Sequence, residues 1–417
     1  MTQRLFPLTG VAAALALGLL TACTNSGQSS ATMGKGAAAA KSPLNTPWGE
    51  PDLQGIWSRD ADVPLQRPTK YASQEFLSDA ERAELDRRIA DIVSRDTTES
   101  RRARGTEGDV NAEFSQTAWT TRLPVGKRTS LIVDPPDGRI PPLTPAAQKA
   151  RDTRRGFQLA LMQATAACKK RMRTCAGGTY GPVSARRNEA PPLYVFGGIV
   201  DGINRAEGPE ERGMNERCLT AAVPDFGSVV GSGSRRIVQA RGQVAMFYDG
   251  TVGMGWPRNI PITTAPHLPS TVRQWRGDSR GGWEGNTLVV DVTNFSPKSD
   301  FQGAHENLHL LERWTRLDAD TIEYVVTVED ETTWTRPWTV KQELKKQSNA
   351  ANRIYYEPRC HEGNYGLVGV LAGARAAEKA FAEGRGPDPA TLCSSFAGCA
   401  GFDFGFADEG ADANPLR

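Results

Sequence analysis

The sequence predicts an α+β fold dominated by β-structure, with a curled antiparallel sheet or barrel over about residues 218–356, flanked by N- and C-terminal helices. Two observations support this class. Residues 286–295 alternate apolar and polar side chains and are rich in β-branched residues, which is typical of a strand with one wetter face. Short turn-forming sequences separate this run from several similar ones. So many antiparallel strands in sequence favour a sandwich, a barrel or a strongly curled sheet, because an open edge promotes aggregation.

The individual elements follow from local signals. Ser78-x-x-Glu81 is a capping box that begins a helix over residues 79–95, and Thr144 followed by Pro145 begins a second helix that runs to about Ala167. An alanine-rich run predicts a closing helix over residues 366–384. The predicted strands cover residues 236–240, 243–248, 259–263, 272–283, 286–295, 308–317, 321–329 and 334–344. Residues 46–57 are predicted to form an irregular strap with Trp48 or Trp57 in the core.

Composition divides the chain into five regions. They are a lipoprotein signal peptide (1–22), a flexible tether (23–46), a helical and loop-rich region packed on the body (47–215), the antiparallel β body with its closing helix (216–384), and a disulfide loop and tail (385–417). The formal net charge of +2 gives no electrostatic basis for binding nucleic acid.

The N-terminal region predicts export and a lipid anchor. Arg4 precedes an apolar run that is too short for an ordinary membrane span, and Leu20-Thr-Ala-Cys23 closes it. That tetrapeptide resembles the lipobox of bacterial lipoproteins, which implies lipid attachment at Cys23. The residue after Cys23 is Thr24 rather than Asp, and by analogy with the sorting rule of enteric bacteria this predicts the outer membrane, with the body in the periplasm and the membrane as partner. The alternative is a plain secretory signal with a chance cysteine.

The remaining six cysteines suit an oxidising compartment. Their spacing favours two local disulfides, Cys168 with Cys175 and Cys393 with Cys399, although fifteen pairings exist for six cysteines. Cys218 and Cys360 would then form a long clasp across the β body. A zinc knuckle is disfavoured because no pair has Cys-x-x-Cys spacing.

Several longer motifs carry a resemblance to a known family. They are Arg276-Gly-Asp-Ser-Arg280, Trp283-Glu-Gly285, Thr293-Asn-Phe295, Glu306-Asn-Leu-His309, Thr333-Trp-Thr-Arg-Pro-Trp338 and Cys360-His-Glu-Gly-Asn-Tyr-Gly366. Over most of residues 46–382 the chain resembles a family of exported bacterial proteins of unknown function. The resemblance implies the clasp between Cys218 and Cys360, and it supplies no catalytic residues.

One short motif matches the sequence pattern of a zinc site. His305-Glu306-Asn-Leu-His309 matches H-E-x-x-H, in which two histidines one helical turn apart bind zinc and the glutamate acts as general base. The motif needs a helix, whereas residues 308–317 alternate like a strand. On a strand the two histidines would lie about 13 Å apart and would not share a metal. A helical setting for residues 303–313 therefore favours a hydrolase, and a strand setting favours a binding protein.

A second candidate group lies near the predicted clasp. His361 and Glu362 follow Cys360, and the clasp would bring them towards the start of the sheet, where His309 could approach. Together with Glu306 or Asp291 they would form a metal or acid–base group, with Glu306 and Glu362 as the catalytic carboxylates and His305, His309 and His361 as zinc ligands. The alternative is a helix-entry turn in which His361 is structural.

Tryptophans supply the evidence for ligand binding. Side chains on adjacent predicted strands would line a pocket for an apolar or aromatic ligand, with a nearby arginine to hold an anionic group; these are Trp275, Trp283, Trp314, Trp334, Trp338 and Arg276. Core packing and cross-strand ion pairing are the alternatives. G-x-S-x-G, Walker and S-x-x-K motifs do not occur in the sequence.

The sequence thus predicts a membrane-anchored periplasmic lipoprotein that binds a small apolar or aromatic ligand. The first alternative is a metal-dependent hydrolase that uses the HENLH motif, and the second is a structural envelope protein. Whether the protein is an enzyme stays open at this stage.

Overall fold

A computed structural model describes residues 44–99, 123–191, 203–214, 217–219, 223–226, 234–249, 255–348 and 365–393. The chain divides into two compact units, Met1–Ser42 and Pro43–Arg417, and all described residues belong to the second. The predicted signal peptide, Cys23 and most of the tether lie outside the described residues, as do Cys360, His361, Glu362 and Cys399.

Ten strands form one antiparallel sheet within the described part of the chain. Their bounds are β1 Gly55–Ser58, β2 Ile132–Asp134, β3 Arg235–Ala240, β4 Gln243–Tyr248, β5 Trp256–Pro261, β6 Asp278–Glu284, β7 Thr287–Thr293, β8 His309–Arg316, β9 Thr321–Glu329 and β10 Trp338–Lys346. The spatial order is β5-β4-β3-β1-β10-β9-β8-β7-β6, with β2 paired to the other end of β10.

The two ends of this order meet, so the sheet curls into a nearly closed barrel. Ile262, just after β5, forms a bridge with Gly281 of β6, and the Thr263 amide donates a hydrogen bond of 3.0 Å to the Gly281 carbonyl. The close approach depends on glycine: a Cβ added to Gly281 would lie 2.8 Å from Ile262 Cδ1 and 2.9 Å from Ile260 Cγ2. Closure protects the edges that an open sheet would expose.

Four α-helices occur among the described residues: α1 Asp79–Glu99, α2 Pro145–Met162, α3 Ala166–Lys169 and α4 Tyr365–Ala382. The capping box is formed, because the Ser78 amide and hydroxyl both donate to Glu81 Oε2 at 2.7 Å. Thr144 caps α2 through a 3.2 Å hydrogen bond from the Ala147 amide, with Pro145 in the first turn.

The main hydrophobic core fills the barrel. Strands β7 to β10 alternate buried and more exposed residues, as the sequence pattern predicts. Leu288, Val290, Leu310, Val326 and Val340 point inward and are inaccessible to solvent. The interior is therefore a packed core rather than an open channel.

The predicted β-dominated antiparallel fold is confirmed, and the flanking helices are confirmed in part. Strand β1 precedes α1 and β2 lies between α1 and α2, so the N-terminal region contributes strands as well as helices. The strap predicted over residues 46–57 ends as β1, and Trp57 is fully buried. The turn-forming residues around Trp57 did not predict a strand. Strand β1 pairs with β3 and β10, which are far away in the sequence.

Two strands were predicted to begin at least four residues before they do. Residues 272–277 are not a strand; β6 begins at Asp278, directly after Gly277, whose φ of 69° interrupts the extended backbone. Trp334 lies before β10, because its amide and that of Thr333 both donate to the Asp330 carbonyl in a turn. Pro337 separates this turn from β10, consistent with its missing amide donor.

Candidate functional site

A group of polar side chains lies within the apolar interior of the barrel. Arg258 of β5 and Glu312 of β8 form an ion pair in which both side chains are almost fully buried. Arg258 Nε also donates to Ser279 Oγ at 3.1 Å, and Arg258 Nη1 donates to the Tyr248 hydroxyl at 3.3 Å. The Tyr324 hydroxyl donates to Glu312 Oε1 at 2.7 Å. These bonds satisfy both charges, which a buried pair needs if it is to be tolerated.

The local environment shifts the proton equilibria of this group. Burial, together with the Glu312 carboxylate, raises the pKa of Tyr324 well above 10.0. Burial is also the main cause that raises the pKa of Tyr248. For Arg258, burial is the largest cause and lowers the pKa, but the Glu312 carboxylate and the Tyr248 hydroxyl together outweigh it and raise the pKa above its usual value. The two tyrosines are therefore hydrogen-bond donors, and Arg258 is a cation, throughout the physiological range.

Arg235, at the start of β3, brings a second positive charge into the interior. Its side chain is completely buried, and its guanidinium carbon lies 5.5 Å from the centroid of the Trp314 ring, 5.6 Å from that of Tyr248 and 5.8 Å from that of Tyr324. Nη2 donates to the Asp225 carbonyl at 3.2 Å. Nε and Nη1 make no hydrogen bond in the described part of the structure.

A short stretch of the chain, residues 223–226, lies against this group; we call it the interior segment. Val223 belongs to the barrel core, and the Phe226 ring packs 6.5 Å from that of Tyr324. Gln342 Nε2 donates to the Phe226 carbonyl at 3.1 Å. The Asp225 carboxylate lies 3.9 Å from Arg235 Nη2. The chain itself therefore occupies the space beside Arg235.

The predicted ligand residue Arg276 is linked to this site by stacked rings. Its guanidinium carbon lies 4.5 Å from the centroid of the Trp256 ring, and Trp256 stacks on Tyr248 with centroids 4.0 Å apart. Tyr248 in turn contacts the Arg235 guanidinium. Burial lowers the pKa of Arg276 to about 10. Two guanidiniums thus lie at either end of one aromatic stack.

The predicted tryptophans divide between core and periphery. Trp314, Trp334 and Trp338 are fully buried in the barrel core, and Trp283 packs against that core from a partly buried position. Trp275 is also partly buried. Trp314 is the member of this set whose ring lies against the Arg235 guanidinium.

A second constellation lies on the outer face of β6 to β9. The five side chains alternate between carboxylate and imidazole: Asp278, His267, Asp291, His309 and Glu329. His267 Nδ1 lies 2.9 Å from Asp278 Oδ2, and His309 Nδ1 lies 2.9 Å from Glu329 Oε2. The Nε2 atoms of His267 and His309 both contact Asp291 Oδ1, at 3.1 and 3.2 Å. We call this the His–carboxylate array. A neutral imidazole has one N–H, so each histidine can donate to both neighbours only when it is protonated.

The HENLH motif has no helical setting. Residues 301–308 form turns, with a bridge between Phe301 and Ala304, and His309 is the first residue of β8. His305 Nδ1 instead contacts the Ser299 carbonyl at 2.7 Å. Glu306 contributes its backbone carbonyl to Arg273 Nη1. Among the described residues, no three His, Cys, Asp or Glu side chains are grouped to hold a metal ion.

One of the predicted disulfides is present: Cys168 and Cys175 are bonded, and their Cα atoms are 5.1 Å apart. Cys218 and Cys393 are also disulfide-bonded. None of the described helices has the length and apolar content that a membrane crossing needs.

Sequence reasoning missed Arg235, Arg258, Glu312 and His267. A signal existed for Glu312: along β8 it occupies the same face as Leu310 and Trp314, where the alternation calls for an apolar residue. A charged residue at an inward position marks a buried ion pair or a functional group. His267 lies in a loop, so no periodicity pointed to its partners.

Comparisons with known proteins add little. No protein-family model and no curated protein sequence matches the chain. Among solved structures, a mutant of the fluorescent protein UnaG aligns with 32% of this chain and 86% of its own, at 13% identity and a TM-score of 0.20. A similarity at that score supports no conclusion about function.

Proposed function

We propose that this protein is an exported lipoprotein, anchored to the outer membrane through Cys23, whose barrel binds a small molecule with an apolar or aromatic body. One observation carries the binding proposal: Arg235 is completely buried, yet two of its three nitrogens have no hydrogen-bond partner among the described residues. Unpaired buried donors cost about 1–3 kcal/mol each, and more when they are charged. An unsatisfied buried group needs a physical explanation, and a bound ligand that accepts hydrogen bonds from Arg235 supplies one.

The surroundings of Arg235 suit a ligand with a flat or apolar body. Aromatic rings present faces to a bound ring and add favourable contacts of about 0.5–1.5 kcal/mol per pair. The rings of Trp314, Tyr324 and Tyr248 already lie around the guanidinium. A ligand that reached Arg235 would therefore contact aromatic faces on several sides. Polar groups that fix orientation inside a largely apolar site are typical of small-molecule binding proteins.

Ligand binding is tested on the full-length protein in lipid nanodiscs. Quenching of tryptophan fluorescence is followed during titration with 2-naphthoate, because Trp314 lies beside the proposed site. We expect saturable quenching in the wild type and its loss in Arg235→Met, which keeps much of the side-chain volume. Arg236→Met, on the outer face of the same strand, is the matched control and keeps binding. Equal binding by the wild type and Arg235→Met contradicts the proposal.

Anchoring is tested separately by metabolic labelling with a fatty acid. The lipobox-like sequence predicts label on the wild type and none on Cys23→Ser. Six cysteines outside the lipobox, and the Cys168–Cys175 disulfide, agree with an oxidising compartment. Labelling that persists in Cys23→Ser excludes this residue as the attachment site.

A further inference from the structure

The interior segment presents to Arg235 the chemistry that a ligand would present. The Asp225 carboxylate lies 3.9 Å from Nη2, and the next residue places an aromatic ring against Tyr324 and, at 6.1 Å, against Phe301. A carboxylate and an aromatic ring, one residue apart, therefore occupy the charged and the aromatic parts of the site.

The fit of this segment to Arg235 is incomplete. At 3.9 Å the contact between the Asp225 carboxylate and Nη2 is longer than a charge-assisted hydrogen bond of about 2.7–2.9 Å. The Asp225 side chain keeps 28% of its surface exposed, whereas that of Arg235 keeps none. The carboxylate thus approaches only Nη2, and Nε and Nη1 make no hydrogen bond within the described part of the chain.

The charge balance points in the same direction. The interior polar group contains two guanidiniums, Arg235 and Arg258, and one carboxylate, Glu312, which is engaged by Arg258 and Tyr324. Among the described residues, Arg235 therefore has no carboxylate within hydrogen-bond distance, because the Asp225 carboxylate lies 3.9 Å from Nη2. A buried cation of this kind is strongly stabilised by an anion that brings its own hydrogen-bond acceptors. A neutral ligand that displaced Asp225 would leave this charge without an anion.

We propose that the ligand is a carboxylate that carries an aromatic group, and that it binds in the position now taken by Asp225 and Phe226. This inference rests on the proposed function, since it names the class of molecule that the barrel binds. The ligand carboxylate pairs with Arg235 and its ring lies against Tyr324. The interior segment competes for the same position, so the apparent affinity is reduced by the fraction of molecules in which the segment is in place.

The test compares two probes of nearly equal shape on the full-length protein in nanodiscs: 2-naphthoate, which is anionic, and 2-naphthamide, which is neutral. We expect the wild type to bind the carboxylate at least about tenfold more tightly than the amide, because the pairing with Arg235 is charge-assisted. In Arg235→Met this preference disappears, because the variant binds 2-naphthoate no better than it binds 2-naphthamide.

Competition by the interior segment is tested with Asp225→Asn, which keeps the size of the side chain and removes its charge. We expect this variant to bind 2-naphthoate several-fold more tightly than the wild type. Asp60→Asn, at an exposed position outside the barrel interior, is the matched control and leaves the affinity unchanged. If Asp225→Asn binds 2-naphthoate with the affinity of the wild type, the interior segment does not compete with the ligand.

The outcomes separate the two proposals. If both probes bind equally well and both are lost in Arg235→Met, the carboxylate class is wrong and binding inside the barrel stands. If neither probe binds the wild type, the proposed function itself fails.

Discussion

The guanidinium carbon of Arg235 lies 5.5 Å from the centroid of the Trp314 ring, and Trp314 belongs to a barrel core of aliphatic and aromatic side chains. Arg235 and Trp314 come from strands β3 and β8, which are not neighbours in the sheet. The contact therefore exists only because the sheet curls. Curling brings side chains from these two strands together around one guanidinium.

The buried ion pair predicts an unequal response to single and double substitution. Glu312→Gln leaves Arg258 as a buried charge without its anion, so we expect a loss of about 3–5 kcal/mol in the free energy of unfolding. Arg258→Met combined with Glu312→Leu removes both charges and costs less than the single change. Urea unfolding followed by circular dichroism measures both values. Arg336→Ala removes an exposed pair with Asp134 as a control, and its cost stays below about 1 kcal/mol. If Glu312→Gln lowers the free energy of unfolding no more than Arg336→Ala does, the buried ion pair does not contribute as predicted.

The closure of the barrel predicts a contrast between two adjacent glycines of β6. A Cβ at Gly281 would come within 2.8 Å of Ile262, whereas one at Gly282 meets nothing within 4 Å. We expect Gly281→Ala to lower the free energy of unfolding by about 1–3 kcal/mol, since the contact between Ile262 and β6 must widen to accommodate the added methyl group. Gly282→Ala is neutral or stabilises by up to about 1 kcal/mol, through the entropy of the unfolded chain. If thermal unfolding shows the same change in stability for both variants, close packing at Gly281 does not contribute to the stability of the barrel.

The sequence predicted the strands of the meander because their alternation is local. Residues 321–329, predicted as a strand, form β9 with the same bounds. What the sequence did not predict is which inward positions meet across the barrel. Arg258 and Glu312 are 54 residues apart, and no periodicity links them. The array was missed for the same reason, since His267 contacts Asp291 only once the loop folds back over β6 and β7.

The buried tyrosines predict a loss of stability in alkaline solution. In the folded state burial raises the pKa of Tyr324 well above 10.0, whereas in the unfolded chain the residue titrates near that value. Above about pH 10 the unfolded chain therefore binds fewer protons than the folded one, and the free energy of unfolding falls as pH rises. The tyrosine contributes up to about 1.4 kcal/mol per pH unit to this slope. Denaturant unfolding between pH 9 and 11 should give a shallower slope for Tyr324→Phe. An identical slope in both proteins would contradict the assignment.

The strand setting of His309 predicts that the HENLH motif does not form a zinc site. His309 directs its Nδ1 to Glu329 and its Nε2 to Asp291, and both bonds belong to the His–carboxylate array. Elemental analysis of the purified full-length protein should therefore find less than one equivalent of zinc, unchanged in His309→Ala. The same variant should lose less than about 1 kcal/mol of unfolding free energy, because the array is partly exposed and screened by solvent. Stoichiometric zinc that disappears in His309→Ala and persists in His267→Ala would restore the hydrolase alternative, since only His309 belongs to the motif.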